Sequence, residues 1–221
     1  MIRTIELKET ITASNDRDAA ELRRELTARG LFLVNLMSAP GSGKTTLISR
    51  TVRDLIGRVR IGVMEADIAS DVDAQKIAAL GAASIQLHTD GMCHMDAGMT
   101  RAGLAGMPTG DLDVVFLENV GNLICPAEFD TGAHVNVMIL SVPEGDDKPL
   151  KYPLMFQKSD ALVVTKTDAA PYFDFDFAAV TRRARALNPG IAVFPVSAKT
   201  GEGMRAWEDW LLAERERGRH A

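Results

Sequence analysis

Ser38-Ala39-Pro40-Gly41-Ser42-Gly43-Lys44-Thr45 follows the apolar run Leu31-Phe32-Leu33-Val34-Asn35-Leu36-Met37. It leads into a segment, 45–56, with apolar side chains at Leu47, Ile48, Val52, Leu55 and Ile56. A strand, a glycine-rich loop and a helix in that order predict a phosphate cradle. Gly41 and Gly43 let backbone N–H groups converge on an anion, and the helix N-terminus adds positive partial charge at the same point. Lys44 can reach the β- and γ-phosphates of a bound nucleotide, and the Thr45 hydroxyl can bind Mg2+. Ser42 and Thr46 complete the candidate phosphate-binding residues. Ser38 stands where the usual pattern has its first glycine. That position starts the turn away from the γ-phosphate, so the cradle is expected to tolerate the change.

Strand-like runs recur outward from this loop at 31–37, 59–64, 84–87, 113–118, 135–142, 161–165 and 191–196. Helix-like segments lie at 45–56, 71–80, 96–104, 176–187 and 203–216. Ser14 or Asn15 can cap an earlier helix that runs to about residue 29, with Gly30 as its stop. Most of the strands are continuous apolar runs, as strands covered on both faces should be. The alternation predicts an α/β fold in three layers, a mostly parallel sheet with helices on both faces. Ligands of such sheets sit beyond the carboxyl ends of the strands, where every motif discussed here falls.

With 221 residues the chain can bury one sizeable α/β core. A formal net charge of −5 argues against a general nucleic-acid or anionic-membrane binder. No apolar run approaches the roughly 20 residues of a membrane span. The opening Met1-Ile2-Arg3-Thr4-Ile5-Glu6 has no apolar signal core, so a cytoplasmic location is expected. Two cysteines make a poor disulfide framework and read instead as buried residues, ligands or reactive thiols.

The base is chosen by two later segments. Thr165-Lys166-Thr167-Asp168 follows a strand and resembles the Asn-Lys-x-Asp motif of GTPases, with Thr in place of Asn. Asp168 can accept hydrogen bonds from guanine N1–H and the exocyclic amine, a donor pair adenine lacks. The Lys166 stem can cover the base plane, and Thr165 is expected to give up the brace that an asparagine lends the phosphate loop. Ser197-Ala198-Lys199 resembles the Ser-Ala-Lys motif, whose backbone N–H at Ala198 would bond guanine O6. GTP and GDP are therefore expected ahead of ATP.

Glu118-Asn119-Val120-Gly121 closes a buried strand with an acid and then a glycine. Glu118 can hold Mg2+ through water, and the Gly121 N–H can bond the γ-phosphate and move when it leaves. Asp67 reads either as the residue that orients water or Mg2+ or as a helix-capping loop aspartate; Asp71 and Asp73 read as first-turn acids. Lys44, Asp67, Glu118 and Gly121 are thus the candidate catalytic residues, and Thr45, Asp67 and Glu118 the candidate Mg2+ set. Cys93 and His94 adjoin in a Gly-flanked loop, and Cys125 lies four residues past Gly121. Thiolate and imidazole suit Zn2+, Ni2+ or Cu ions. Three ligands do not close a tetrahedral site, so an exchangeable site or one shared across a dimer is expected. Met92, Met95 and Met99 can add thioether contacts, although that spacing more often means helix packing, and His88, His134 and His220 read as isolated surface or core residues.

Residues 90–96, the block from Glu118 to Asp130 and the block from Pro143 to Pro153 resemble the HypB family, of the SIMIBI class of P-loop GTPases. The likeness runs from about residue 30 to residue 205. It implies a P-loop NTPase fold and a nickel-incorporation GTPase of [NiFe]-hydrogenase maturation that dimerises with GTP. The implied partners are a small nickel- and zinc-binding maturation protein and the hydrogenase large subunit. The family's metal ligands fall on Cys93, His94 and Cys125. A lysine that reaches the guanine held by the other subunit falls on Lys151, with Lys148 as second choice. Residues 1–30 would be an N-terminal helical extension and 31–221 the GTPase domain. Residues 1–30 hold no Cys or His, so tight nickel storage is not expected of them. Competing readings are a urease-type or cobalamin-type GTPase chaperone, against which Cys93-His94 and the run from Asn122 to Pro126 count; a regulatory GTPase whose thiols are inert; and an ATP-dependent kinase, against which Asp168 counts.

Overall fold

The computed structural model describes residues 7–67, 77–89 and 91–219; the side chains of residues 7–11 and of Asp67 lie outside the described part. A seven-stranded sheet, parallel in every pairing, forms its centre. The strands are β1 (Phe32–Ser38), β2 (Ile61–Asp67), β3 (Ala83–His88), β4 (Val114–Gly121), β5 (Val135–Ser141), β6 (Ala161–Thr165) and β7 (Ala192–Pro195), in the spatial order β3-β2-β4-β1-β5-β6-β7. β1 is buried along its whole length, and its alternation sorts it between two cores. Phe32, Val34 and Leu36 face α2 (Lys44–Leu55) and Trp207 and Leu211 of the last helix. Leu33 faces the opposite way, with Leu22 and Leu26 of α1 (Leu7–Ala28) and Leu104 of α3 (Ala97–Ala105). Farther along that side, Met155 and Phe156 of α5 (Pro153–Gln157) and Val180 and Ala184 of α6 (Phe177–Leu187) cover β5 and β6. The three-layer α/β architecture expected from the alternation is present.

Several boundaries differ from the sequence reading, each for a visible reason. α1 starts at or before Leu7, so neither Ser14 nor Asn15 caps it. Asn15 is buried instead; its amide donates to the Asp130 carbonyl at 2.9 Å, and its Oδ1 accepts from Ala97 N at 3.0 Å. Gly30 ends the helix region as expected, at φ 69°. β4 continues past Glu118 to Gly121, because Gly121 pairs with Ser38 across a register shift in β1. Two short helices, α4 (Lys148–Lys151) and α5, fill what reads in sequence as loop. Of the helix expected at 71–80, residues 71–76 lie outside the described part, as do Asp71, Asp73 and His220. Among the described residues no helix is long and apolar enough to cross a membrane.

The last helix, α7 (Met204–Gly218), seals one face through Trp207, whose indole N–H donates to Thr51 Oγ1 of α2 at 3.0 Å. Beside it Glu208 is 8% exposed. Burial, and then the neighbouring Asp54 carboxylate, push its carboxyl up to about 7 against the pull of Arg50. An acid raised above its unfolded value binds its proton more tightly in the fold, so stability falls as pH climbs from the unfolded pKa toward 7. Glu208→Gln, which fixes the neutral form, is expected to match the wild type near pH 4.5 and to gain on the order of 2 kcal/mol by pH 8. Thermal melting across that range reads it; a constant difference between the two proteins at all pH values contradicts it.

Candidate functional site

The carboxyl ends of the strands carry a cleft of about 730 Å³ lined by the 40–46 loop, Glu65, the end of β4 and Lys166. Gly43 opens α2 in the left-handed region at φ 94°, a conformation side chains disfavour, and this turns the chain so that α2 points its N-terminus into the cleft. Lys44 lies inside, its ammonium donating to Ser38 Oγ at 2.8 Å. The Ser42 hydroxyl donates to the same oxygen at 2.6 Å, and Ser38 in turn donates to the Ala39 carbonyl at 2.7 Å. Ser38 is therefore more than a tolerated replacement for glycine: its hydroxyl holds Lys44 in place within the cradle. Thr45 and Thr46 line the same cleft.

Thr45 Oγ1 donates to Glu118 at 3.0 and 3.3 Å, which brings together two of the three side chains expected around Mg2+. Asp67 ends β2 on the same sheet edge. Glu65, absent from the sequence reading, is buried in the cleft wall and sits in register with Glu118 across β2 and β4. The available signal was period: residue 65 shares the face of residue 67 in any strand. Gly121 packs so closely on the phosphate loop that a Cβ there would lie 2.9 Å from Pro40 Cγ and 3.1 Å from Pro40 N.

On the base side, Thr165 Oγ1 donates to the Ser42 carbonyl at 2.6 Å. This corrects the expectation of a lost brace, since a hydroxyl spans the gap an amide was expected to fill. Lys166, the one described non-glycine residue with positive φ (58°), stretches over the loop and donates to the Gly41 carbonyl at 2.8 Å. A left-handed lysine is strained backbone held by its surroundings, a pattern found at ligand sites. Asp168 is exposed and accepts from Ser197 Oγ at 2.7 Å, joining the two base-recognition segments. Ala198 is half-buried and Lys199 exposed. Lys151 lies on α4, its ammonium 2.6 Å from Asp147, while Lys148 sits 5.6 Å from the Tyr152 ring centroid; neither lines the cleft.

The soft-ligand residues cluster beside the switch strand. The Cys93 thiol is raised by its hydrogen bond with Cys125 and then by burial, so the two sulfurs are neighbours. Cys93 Sγ also lies 3.6 Å from His94 Nδ1. His94 is 8% exposed and stacks on Phe129, ring centroids 3.8 Å apart. Burial lowers its pKa, which favours the neutral imidazole a metal needs, although Asp96 and Glu128 oppose the shift. Among the described residues, no three His, Cys, Asp or Glu side chains are assembled as a metal-holding group. The three residues are thus adjacent without converging.

A polar chain that sequence reading missed runs from the sheet to this cluster. Asn35 donates to Asn136 at 2.9 Å and accepts from Asn119 at 3.0 Å; Asn119 Oδ1 accepts from Met95 N at 3.1 Å. Asn122 donates to the Cys93 carbonyl at 3.3 Å. The sequence signal was an asparagine, Asn35, inside an otherwise apolar buried strand, because a buried amide demands partners.

An all-parallel sheet with the glycine-rich loop, the end of β4 and the loops at 165–168 and 197–201 on one edge defines a P-loop nucleotide-binding protein. The solved structure of the signal recognition particle receptor FtsY from Elizabethkingia anophelis shares this fold at 14% identity and TM-score 0.56, over 86% of this chain and 71% of that one. The chain belongs to the HypB family: the model described as CobW/HypB/UreG, nucleotide-binding domain, matches residues 32–195. Hydrogenase maturation factor HypB of Azotobacter vinelandii is 48% identical over 98% of this chain and 71% of its own length. The same factor of Escherichia coli (strain K12) is 42% identical over 96% and 73%. The crystal structure of HypB from Helicobacter pylori in complex with nickel matches at 34% identity and TM-score 0.86, covering 92% of this chain and 96% of that one.

Proposed function

We propose that this chain is a GTP-hydrolysing metallochaperone that binds nickel, or zinc in its place, and assists nickel insertion into [NiFe]-hydrogenase as a GTP-dependent homodimer in the cytoplasm. Its further partners are a small nickel- and zinc-binding maturation protein and the hydrogenase large subunit. Residues 31–221 form the GTPase domain, and 1–30 the extension whose α1 supports it. One set of contacts carries this reading: the segment that would feel the γ-phosphate is wired to the loop that would hold the metal. Asn119 and Asn122 flank Gly121, and they bond Met95 N and the Cys93 carbonyl respectively. A shift of Gly121 on hydrolysis is thereby passed to both sides of Cys93-His94, which gives the nucleotide states the different metal affinities a switch requires.

In turnover Lys44 leaves Ser38 for the β- and γ-phosphates, and the Gly121 N–H meets the γ-phosphate. Thr45 and Glu118, together with Asp67, would supply oxygen donors of the kind that suits Mg2+. That ion would neutralise the charge that develops on the phosphates. Asp168 and the Ala198 N–H select guanine. No covalent intermediate is needed, so a slow intrinsic rate is expected. Lys151 is assigned to the guanine of the partner subunit, a role consistent with its exposure and with its not lining its own cleft. Met92, which lies in a loop and is exposed where helix packing was expected, and the equally exposed Ile124 each adjoin a cysteine and offer apolar surface for that dimer contact.

Cys93 is exposed, which counts against inert thiols. Cys93→Ala is expected to weaken Ni2+ binding by tenfold or more, roughly the loss of one soft ligand, with GTP affinity unchanged. Titration of both ligands on the same preparation checks it. Parallel loss of both would make the loop structural and remove the metal role.

A further inference from the structure

We propose that Arg50 is a positioning residue for base recognition, its guanidinium fixing the peptide planes of the loop at 197–201 that would face guanine O6. The proposal rests on the guanine reading given above. Arg50 lies on α2, the helix that Lys44 opens, and its side chain leaves the phosphate end to reach under the base loop. Its Nη1 donates to the Ala198 carbonyl at 3.3 Å. The other side of the fork lies against Gly201, where a Cβ would meet Nη2 at 2.7 Å. Arg50 Nε is held at 2.5 Å by Asp54 one turn along. Glu208 of α7 adjoins that carboxylate, and the three line a cleft of about 360 Å³ with Gly201, Met204 and Arg205.

A trans peptide points its N–H opposite to its C=O. The Ser197 carbonyl is pinned by Gly201 N at 2.8 Å, and the Ala198 carbonyl by Arg50. Both carbonyls flanking Ala198 are thus occupied within the protein, and the N–H groups of Ala198 and Lys199 are directed the other way. Asp168 is tied to the same loop through Ser197 Oγ. Arg50 therefore sets the aim of the O6 donors without touching the base. It does so from the helix that carries the phosphate lysine, which links the two halves of the nucleotide site. The planar fork is what permits one side chain to hold Asp54, Ala198 and the Gly201 surface together, and a lysine cannot reproduce it.

The test uses the full chain and three probes, GDP, ADP and inorganic tripolyphosphate, with wild type, Arg50→Lys and Arg50→Gln. The expected result is GDP affinity weakened about tenfold in both variants, tripolyphosphate affinity within about twofold of wild type, and a narrower preference for GDP over ADP. Thermal melting identifies any variant that fails to fold, and Arg50→Lys, which keeps the charge beside Asp54, then carries the test. Equal weakening of GDP and tripolyphosphate, or unchanged GDP affinity in both variants, overturns the proposal. A wild type with no preference for GDP over ADP overturns the guanine reading itself, a result visible before any variant is compared.

Discussion

Gly121→Ala is expected to lower kcat/KM for GTP by at least about 100-fold while the protein remains folded. The added Cβ would lie 2.9, 3.1 and 3.2 Å from Pro40 Cγ, N and Cα. The last two are backbone atoms of the phosphate loop, so relief requires the loop or the end of β4 to move. Neither can move alone, because Gly121 is in register with Ser38, whose hydroxyl holds Lys44. A displacement of several tenths of an ångström therefore reaches both Lys44 and the Gly121 N–H, the two groups proposed to meet the phosphates. The first four residues of β4 are buried between β1 and β2 and keep the fold intact. Single-turnover hydrolysis together with thermal melting distinguishes the effects. Hydrolysis within about threefold of wild type would show that the close approach has no role in turnover.

Asp168→Asn is expected to exchange guanine for xanthine. Asp168 would accept from guanine N1–H and the exocyclic amine. An asparagine keeps the N1–H acceptor but presents its own amide donor to the second position, where xanthine has a carbonyl. Two hydrogen bonds to a charged group are worth roughly 3 kcal/mol together, so GTP affinity should fall by about 100-fold or more. Xanthosine triphosphate should bind the variant better than the wild type. The Ser197 hydroxyl, 2.7 Å from Asp168 Oδ1, can donate equally to an amide oxygen, so the loop should keep its place. Competition binding with the two nucleotides reads the exchange. Loss of GTP without gain of the xanthine nucleotide would mean that Asp168 does not face the base.

The parts of this molecule that announce themselves in sequence are those with local causes. β6, Ala161–Thr165, has the bounds its apolar run sets, and α2 begins beside the Gly43 that turns the chain. What escaped was decided by distant partners. Asn15 looks like a helix cap, yet it is buried between Ala97 and Asp130, each far away in the chain. Thr165 reads as a lost asparagine, but its hydroxyl reaches Ser42 because β6 and the phosphate loop end side by side. Glu65 was passed over for Asp67, and only the pairing of β2 with β4 shows it beside Glu118. The asparagine chain through Asn35 and Asn119 crosses three strands that no sequence period relates. Cys93, His94 and Cys125 were legible as residue types, and their adjacency follows from β3 and β4 ending on the same edge. The packing around them was not legible, since the His94 ring stacks on Phe129, 35 residues farther along the chain.

Nickel binding to the wild-type chain without nucleotide, with GDP and with a non-hydrolysable GTP analogue, with oligomer mass recorded in each state, tests most directly whether the phosphate switch and the metal loop are coupled. The account predicts that nickel affinity or stoichiometry changes between the GDP and GTP-analogue states, with a shift toward the dimer mass in the latter. Identical affinity, stoichiometry and mass in all three states would contradict it.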